Sequence, residues 1–350
     1  MAILVPLLLI AGLFTLVRLT SGLPAFRRAS IVVVGLTMFI VGLPLAFELG
    51  RVSESYTRDI AEARATNEAV IGDTPTPVEI DPIPILDCRD PALALESPER
   101  EALASAGMNR VAMPFGVLLA ADDRMPLPYV RQAVAVLAEM LDQDQDGRPD
   151  DPALVDLLAD RSTAWLAMPV DEADWERAQL PKLERALGYD IVIPSWWLDV
   201  RSDGVPDERG RVVMVEEIHH FITQFGLSRL HPDVFGVDDW NSVIARETRR
   251  ARCDFWQHPE NDCPGSPAEF RGDCSDPNCD VVEFYQQVVV LRAGMEPGWL
   301  GLGFPETAEE LEELLGDEIK AAIDDPDHHQ LRRPLDFDYP TISLPAPGAA

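Results

Sequence analysis

The stretch Val212–Gly226, VVMVEEIHHFITQFG, places two carboxylates and two imidazoles in one short apolar run. Taken as a helix at 3.6 residues per turn, it separates into two faces. Glu216, Glu217, His219, His220, Thr223 and Gln224 fall on one side, and Met214, Ile218, Phe221, Ile222 and Phe225 on the other. Gly226 is expected to stop the helix, because glycine enters the left-handed cap conformation without a Cβ clash. Any fold that accepts this segment has to bury one face and find partners or water for the ionisable groups on the other. Glu216 and His220 stand at i, i+4, so both can reach one metal ion, and Glu217 is offset to where a general base can stand. The pattern is Glu-Glu-x-x-His, a His-Glu-x-x-His zinc motif with its first His replaced by Glu. The same residues equally suit an amphipathic surface helix whose wet face carries charges and no ligand.

A further carboxylate lies downstream. Asp280–Leu291, DVVEFYQQVVVL, is an apolar helical run interrupted by Glu283 and the pair Gln286–Gln287. An unpaired charge inside such a run costs several kcal/mol or forces protonation, so Glu283 needs a partner unless it sits on a solvent-facing edge. A metal held by Glu216 and His220 would supply one, with Glu283 as third ligand.

A second cation site is predicted upstream. Val130–Leu141 has helical spacing and runs into DQDQDGRPDD, after which Pro152 opens another helical pattern. Helix, acidic loop and helix form the context of an EF-hand-like calcium site. Asp142, Asp144 and Asp146 occupy loop positions 1, 3 and 5, Gly147 gives the sharp turn, Arg148 can offer its carbonyl, and Asp150 can ligate through water. Ala153 stands where a bidentate Glu usually closes the loop, so Asp151 or Asp156 has to supply that carboxylate, or affinity falls. The expected role of Ca²⁺ is structural.

Sixty acidic against 29 basic residues give a net charge of −31, which excludes duplex nucleic acid as a partner because phosphate binding needs clustered Lys and Arg. Ala2–Val17 and Ile31–Phe47 are almost wholly apolar, each close to the minimum of about 17 residues for a spanning helix. With Arg18, Arg27 and Arg28 between them, they are expected to form a membrane hairpin with both ends outside, which would make the remainder an extracytoplasmic domain of a cell-membrane protein. Residues 52–66 could form a juxtamembrane helix, and GDTPTPVEIDPIPIL reads as an extended Pro-rich spacer. Four of the five cysteines (Cys253, Cys263, Cys274, Cys279) crowd one loop-rich stretch. They suit a zinc site or local disulfides, and the Pro- and Gly-rich spacing favours disulfides in an oxidising compartment; the connectivity is open, with Cys253–Cys263 and Cys274–Cys279 as a guess that leaves Cys88 over. Residues 189–200 read as a strand, with Trp196 and Trp197 as core or cleft-wall residues. Residues 305–324 read as one acidic helix capped by Thr307, followed by a disordered tail.

Three segments in this order, VLAEMLDQDQDGRPDDP, EEIHHFITQFG followed by HPDVFG, and CDVVEFYQQVVVL, resemble a largely uncharacterised family of exported proteins. Its members carry an aspartate loop, a Glu-Glu-Ile-x-His helix and a downstream Cys-x-x-x-Glu-aromatic helix, similar to degenerate gluzincin metallopeptidases. The resemblance covers roughly residues 105–295. It implies a zincin-like centre with Glu216, His220 and Glu283 as ligands and Glu217 as base. His219, Gln286 and Gln287 depart from the family pattern, which is usually apolar or aromatic at those positions. The resemblance supplies no substrate.

The expected architecture is mainly α (α+β with a minor sheet): a zincin-like helical domain with an EF-hand-like loop behind a transmembrane hairpin. The expected divisions are a hairpin at 1–51, a linker at 52–90, a globular domain at 91–300 and an acidic tail at 301–350. The expected function is that of a membrane-anchored calcium-binding protein with a second centre for Zn²⁺ or another divalent transition metal, possessing metal-dependent hydrolase or peptidase activity. The competing expectation is a non-catalytic, calcium-stabilised surface binding or structural protein. A protein or peptide partner is left open.

Overall fold

The computed structural model describes residues 80–196, 208–256, 277–298 and 303–343. The chain divides between Pro77 and Val78 into two units, and all the described residues belong to the second.

Six short strands carry this unit: β1 (Ile83–Asp87), β2 (Arg110–Ala112), β3 (Leu119–Ala121), β4 (Ala164–Met168), β5 (Tyr189–Val192) and β6 (Thr341–Ser343). They form one mixed sheet in the order β5-β4-β3-β2-β1-β6. The β1–β2 and β2–β3 pairs are antiparallel, whereas β3–β4, β4–β5 and β1–β6 are parallel. Side chains alternate across the sheet, as successive residues of a strand must. Leu119, Ala121, Leu166 and Met168 point into one apolar cluster, and Leu118, Ala120, Trp165 and Ala167 into the other.

The smaller cluster is covered by α1 (Ser97–Ala106) and the helical turns at 172–183. The larger lies under α2 (Leu127–Leu141), α3 (Pro152–Leu158), α4 (Glu208–Phe221), α5 (Val243–Asp254) and α6 (Pro277–Arg292). Two short helices, α7 (Ala308–Leu314) and α8 (Asp317–Asp324), complete that side. The fold is therefore not the mainly α, zincin-like domain expected from the sequence. It is about half helical around a six-stranded mixed sheet. The strands escaped notice because β3 and β4 are buried on both faces and rich in alanine, so they show no polar alternation and little β-propensity.

The membrane assignment is corrected as well. The apolar stretches 2–17 and 31–47 and the segment 52–66 lie outside the described residues. Among the described residues no helix is long and apolar enough to cross a membrane. The longest, α6, has 16 residues and carries Asp280, Glu283, Gln286, Gln287 and Arg292, which is both too short and too polar to span. The structure thus lends no support to integral membrane attachment or to a cell-membrane, extracytoplasmic location.

Other elements differ in detail. The Pro-rich spacer ends in β1, where Pro84 pairs with Ile342 of the edge strand β6. Residues 305–324 form two helices rather than one, separated at Gly316, whose N–H donates to Glu247 Oε1 at 2.7 Å. Thr307 does cap the first of them, accepting from the Glu310 N–H at 3.2 Å. Gly226 does not stop α4. The chain continues through a π-turn at Ile222–Leu227, and a Cβ on Gly226 would come within 2.4 Å of Leu154 Cδ1 on α3. This glycine is a point of close helix approach.

The C-terminal segment is drawn onto the sheet by one buried acid. Glu139 of α2 is 2% exposed. Its Oε2 accepts the N–H groups of Asp336 (2.8 Å) and Phe337 (3.1 Å), and its Oε1 those of Asp338 (2.8 Å) and Tyr339 (3.2 Å). Burial raises its pKa, and the four donors work against that rise. Glu139→Gln keeps the shape but turns an amide NH₂ toward backbone donors. It should cost about 2–4 kcal/mol in urea unfolding. An unchanged midpoint would show that the segment docks without the carboxylate.

Candidate metal centre

Helix α4 packs against α2, α6, β4 and β5. It is covered on more than one side, which corrects the simple division into wet and dry faces. His219, His220 and Thr223 are buried along with Met214, Ile218 and Phe221. His219 Nδ1 lies 3.3 Å from Thr223 Oγ1, and its ring packs 5.6 Å from that of Tyr285. Burial, aided by neighbouring His220, pulls its pKa down to about 3, so it is a neutral core histidine.

The meeting of α4 and α6 brings together the three expected ligands. Glu216, His220 and Glu283 each offer one ligand atom, and these atoms lie within 4.8 Å of one another. His220 Nε2 stands 3.6 Å from Glu283 Oε2, and His220 Nδ1 stands 3.6 Å from Glu217 Oε2. Glu217, expected as a base beside the ion, thus faces the other ring nitrogen. His220 is 6% exposed, and its buried Nε2 has no hydrogen-bond partner. Leaving such an atom unsatisfied costs about 1–3 kcal/mol. A divalent cation among the three residues would displace the Nε2 proton, take that nitrogen's lone pair and neutralise the carboxylates, so the donor set fits a divalent metal.

Protonation shows how crowded the charge is. Burial pushes Glu216 up to about 8, with Glu283 and Glu217 adding to the rise and His220 opposing it. Burial works against the His220 imidazolium, but Glu283, Glu217 and Glu216 outweigh it and raise the ring to about 9. Gln286, one turn beyond Glu283, donates its Nε2–H to the Pro297 carbonyl at 3.3 Å. The next residue, Gly298, has φ +84°, and a Cβ there would lie 2.7 Å from Val212 Cγ1 and 3.2 Å from Glu216 Oε2. Only a glycine lets the backbone come so close to Glu216 in that conformation. No sequence pattern announced this contact.

The aspartate loop forms a second acidic group, with oxygens of Asp142, Asp144 and Asp146 within 4.8 Å of one another. Asp142 accepts from the N–H groups of Asp146 (3.0 Å) and Gly147 (2.9 Å) and from the Tyr339 hydroxyl (2.7 Å). Gly147, at φ +85°, makes the expected sharp turn. Arg148 donates its N–H to Asp146 Oδ1 at 2.9 Å, and Asp150 Oδ2 accepts from the Gln143 N–H at 2.8 Å. Asp151 caps α3, accepting from Ala153 (2.9 Å) and Leu154 (3.1 Å), so its Oδ1 is already engaged. Glu139 and Tyr339 were missed as neighbours of this loop. The signal for the first was a lone carboxylate in an apolar helix; the second comes from nearly 200 residues downstream.

The cysteine expectation is corrected in part. Cys253 is a reduced thiol, which overturns its pairing with Cys263. Cys263 and Cys274 lie outside the described residues, whereas Cys279, at the start of α6, is disulfide-bonded. Cys88 is also a thiol, fully buried, 3.2 Å from Asn109 Oδ1 and pushed up to about 11 mainly by burial. Trp197 lies outside the described residues, and Trp196 follows β5 at intermediate exposure.

Compared with known protein families, with curated proteins and with solved structures, the chain gives no match in any of the three.

Both Glu216 and His220 have raised pKa values in the folded state, so the metal-free site holds protons that the unfolded chain releases. That stabilisation is complete below the unfolded values and is lost as pH rises through about 8 and about 9. His219 is neutral in both states above pH 7 and drops out. Chelator-treated protein should therefore lose stability between pH 7 and 9, by up to about 1.4 kcal/mol per pH unit for each proton released. Urea unfolding at three pH values checks this, and Glu216→Gln should flatten the slope. A flat wild-type profile would refute the charge crowding.

Proposed function

We propose that the protein is a metal-dependent hydrolase in which Glu216, His220 and Glu283 hold one divalent ion, with peptide or other acyl carbonyls as the substrate class. The observation that carries this reading is the buried Nε2 of His220, without a hydrogen bond and facing Glu283 at 3.6 Å, with Glu216 completing the ligand set. Three protein ligands leave a coordination position for water, and a bound ion lowers that water's pKa toward neutrality. Two carboxylates and one imidazole are harder and more anionic than a His-rich set. They temper Lewis acidity and favour Mn²⁺ or Fe²⁺ over Zn²⁺.

The aspartate loop, on this reading, binds Ca²⁺ structurally. Its first ligand, Asp142, is tied through Tyr339 to the segment that ends in β6. Asp144 and Asp146 remain exposed and available. A second reading, a calcium-stabilised binding or structural protein without catalysis, draws on the close approach of Gly298 to Glu216.

Metal analysis by mass spectrometry separates the two. Wild-type protein should carry near one equivalent of transition metal, lost in His220→Ala while calcium stays, and it should cleave an unstructured peptide in a chelator-sensitive way. Calcium alone, unaffected by His220→Ala, would leave the second reading. Asp144→Asn should weaken Ca²⁺ binding at least tenfold by calorimetry and leave the transition-metal content as it was. Equal Ca²⁺ affinity would remove the loop as the calcium site.

A further inference from the structure

We infer that Glu217 is a positioning residue for His220, holding the proton of Nδ1 so that Nε2 presents its lone pair to the ion. The inference rests on the metal centre proposed above. It assigns Glu217 a different task from the general base that its place in the motif implied.

The geometry carries it. His220 is the sole imidazole of the ligand group, and its two ring nitrogens face different carboxylates. Nε2 is directed at Glu283 of α6, and Nδ1 at Glu217 one turn earlier on α4, each at 3.6 Å. The oxygens of Glu217 are not part of the set that converges with Glu216 and Glu283. A neutral imidazole that gives Nε2 to a cation keeps its hydrogen on Nδ1, and that hydrogen needs an acceptor. Glu217 Oε2 stands 3.6 Å from Nδ1, an ion-pair distance from which a small side-chain rotation brings it into hydrogen-bond reach, and its side chain is only 16% exposed, so water screens the contact little. A carboxylate behind a ligating imidazole fixes the ring's tautomer and orientation and raises its basicity. With two harder oxygen donors in the set, the one nitrogen ligand has most to gain from that support.

The test uses the whole chain, loaded with Zn²⁺ or Mn²⁺ alone, as wild type, Glu217→Gln and Glu217→Ala. Removing a carboxylate of this kind costs 10–100-fold in metal affinity. Glu217→Ala should lose affinity in that range, and Glu217→Gln, whose amide oxygen still accepts from Nδ1–H, should lose less. Metal-free melting of each variant is measured beside it, because Glu217 also supports the His220 imidazolium when no ion is bound. In ¹⁵N-labelled, Zn²⁺-loaded wild type the His220 Nδ1–H should be slow to exchange, and in Glu217→Ala it should exchange quickly. If Glu217→Ala melts early, the exchange rate in Glu217→Gln decides, slow exchange supporting the role and fast exchange overturning it. Unchanged affinity with lowered turnover would overturn positioning in favour of a base. A wild-type chain that binds neither ion would overturn the metal centre and this role with it.

Discussion

The burial of helix α4 is the constraint on which the rest depends. A helix exposed on one side could leave Glu216, Glu217, His219 and His220 to water. Here α2, α6 and the sheet cover it, and both histidines end up almost wholly out of solvent. Buried ionisable groups stay only if neutral, paired or bound to a cation. The protein uses different answers at adjacent positions. His219 is neutral beside Thr223 and Tyr285, whereas His220 sits among three carboxylates with a nitrogen left over. The π-turn that follows spreads the helix just beyond the pair, a geometry frequently found at functional sites.

The same economy governs the other acidic region. Glu139 and Asp142 lie at the end of α2, both buried, and both are satisfied by the chain's last described residues. Glu139 collects four backbone donors, and Asp142 takes the Tyr339 hydroxyl in addition to N–H groups of its own loop. The loop that looks local in sequence is thus anchored from the far end of the unit, and the strand β6 that follows closes the sheet beside β1. Charges on exposed Asp144 and Asp146 raise the energy of this arrangement unless a cation offsets them.

Much of the chemistry was legible in the residues. The i, i+4 pair Glu216–His220 and the isolated Glu283 in an apolar run were expected to converge, and the structure brings their ligand atoms together. The helices flanking the aspartate loop were likewise readable from their periodicity, as were the Pro152 start and the Gly147 turn. The errors had physical causes. Strands buried on both faces lose the alternation that identifies them. Apolar segments of about 17 residues invite a membrane reading from length alone, and nothing in the described helices sustains it. Of the clustered cysteines, Cys253 is a thiol and not half of a disulfide, whereas Cys279 is disulfide-bonded.

By itself, the sequence determined which groups had to be accommodated: a helix with four ionisable residues within five positions, a carboxylate in an apolar run, and a loop of alternating aspartates. Local periodicity and side-chain chemistry suffice for that, because they act within a few turns of chain. The tertiary structure decided which face each group would see. It turned His219 into core against Tyr285, set Glu283 against His220 Nε2, laid Gly298 on Glu216, and brought Tyr339 to Asp142. Those outcomes depend on contacts between residues tens to hundreds of positions apart, and no local pattern encodes the direction from which a distant segment arrives.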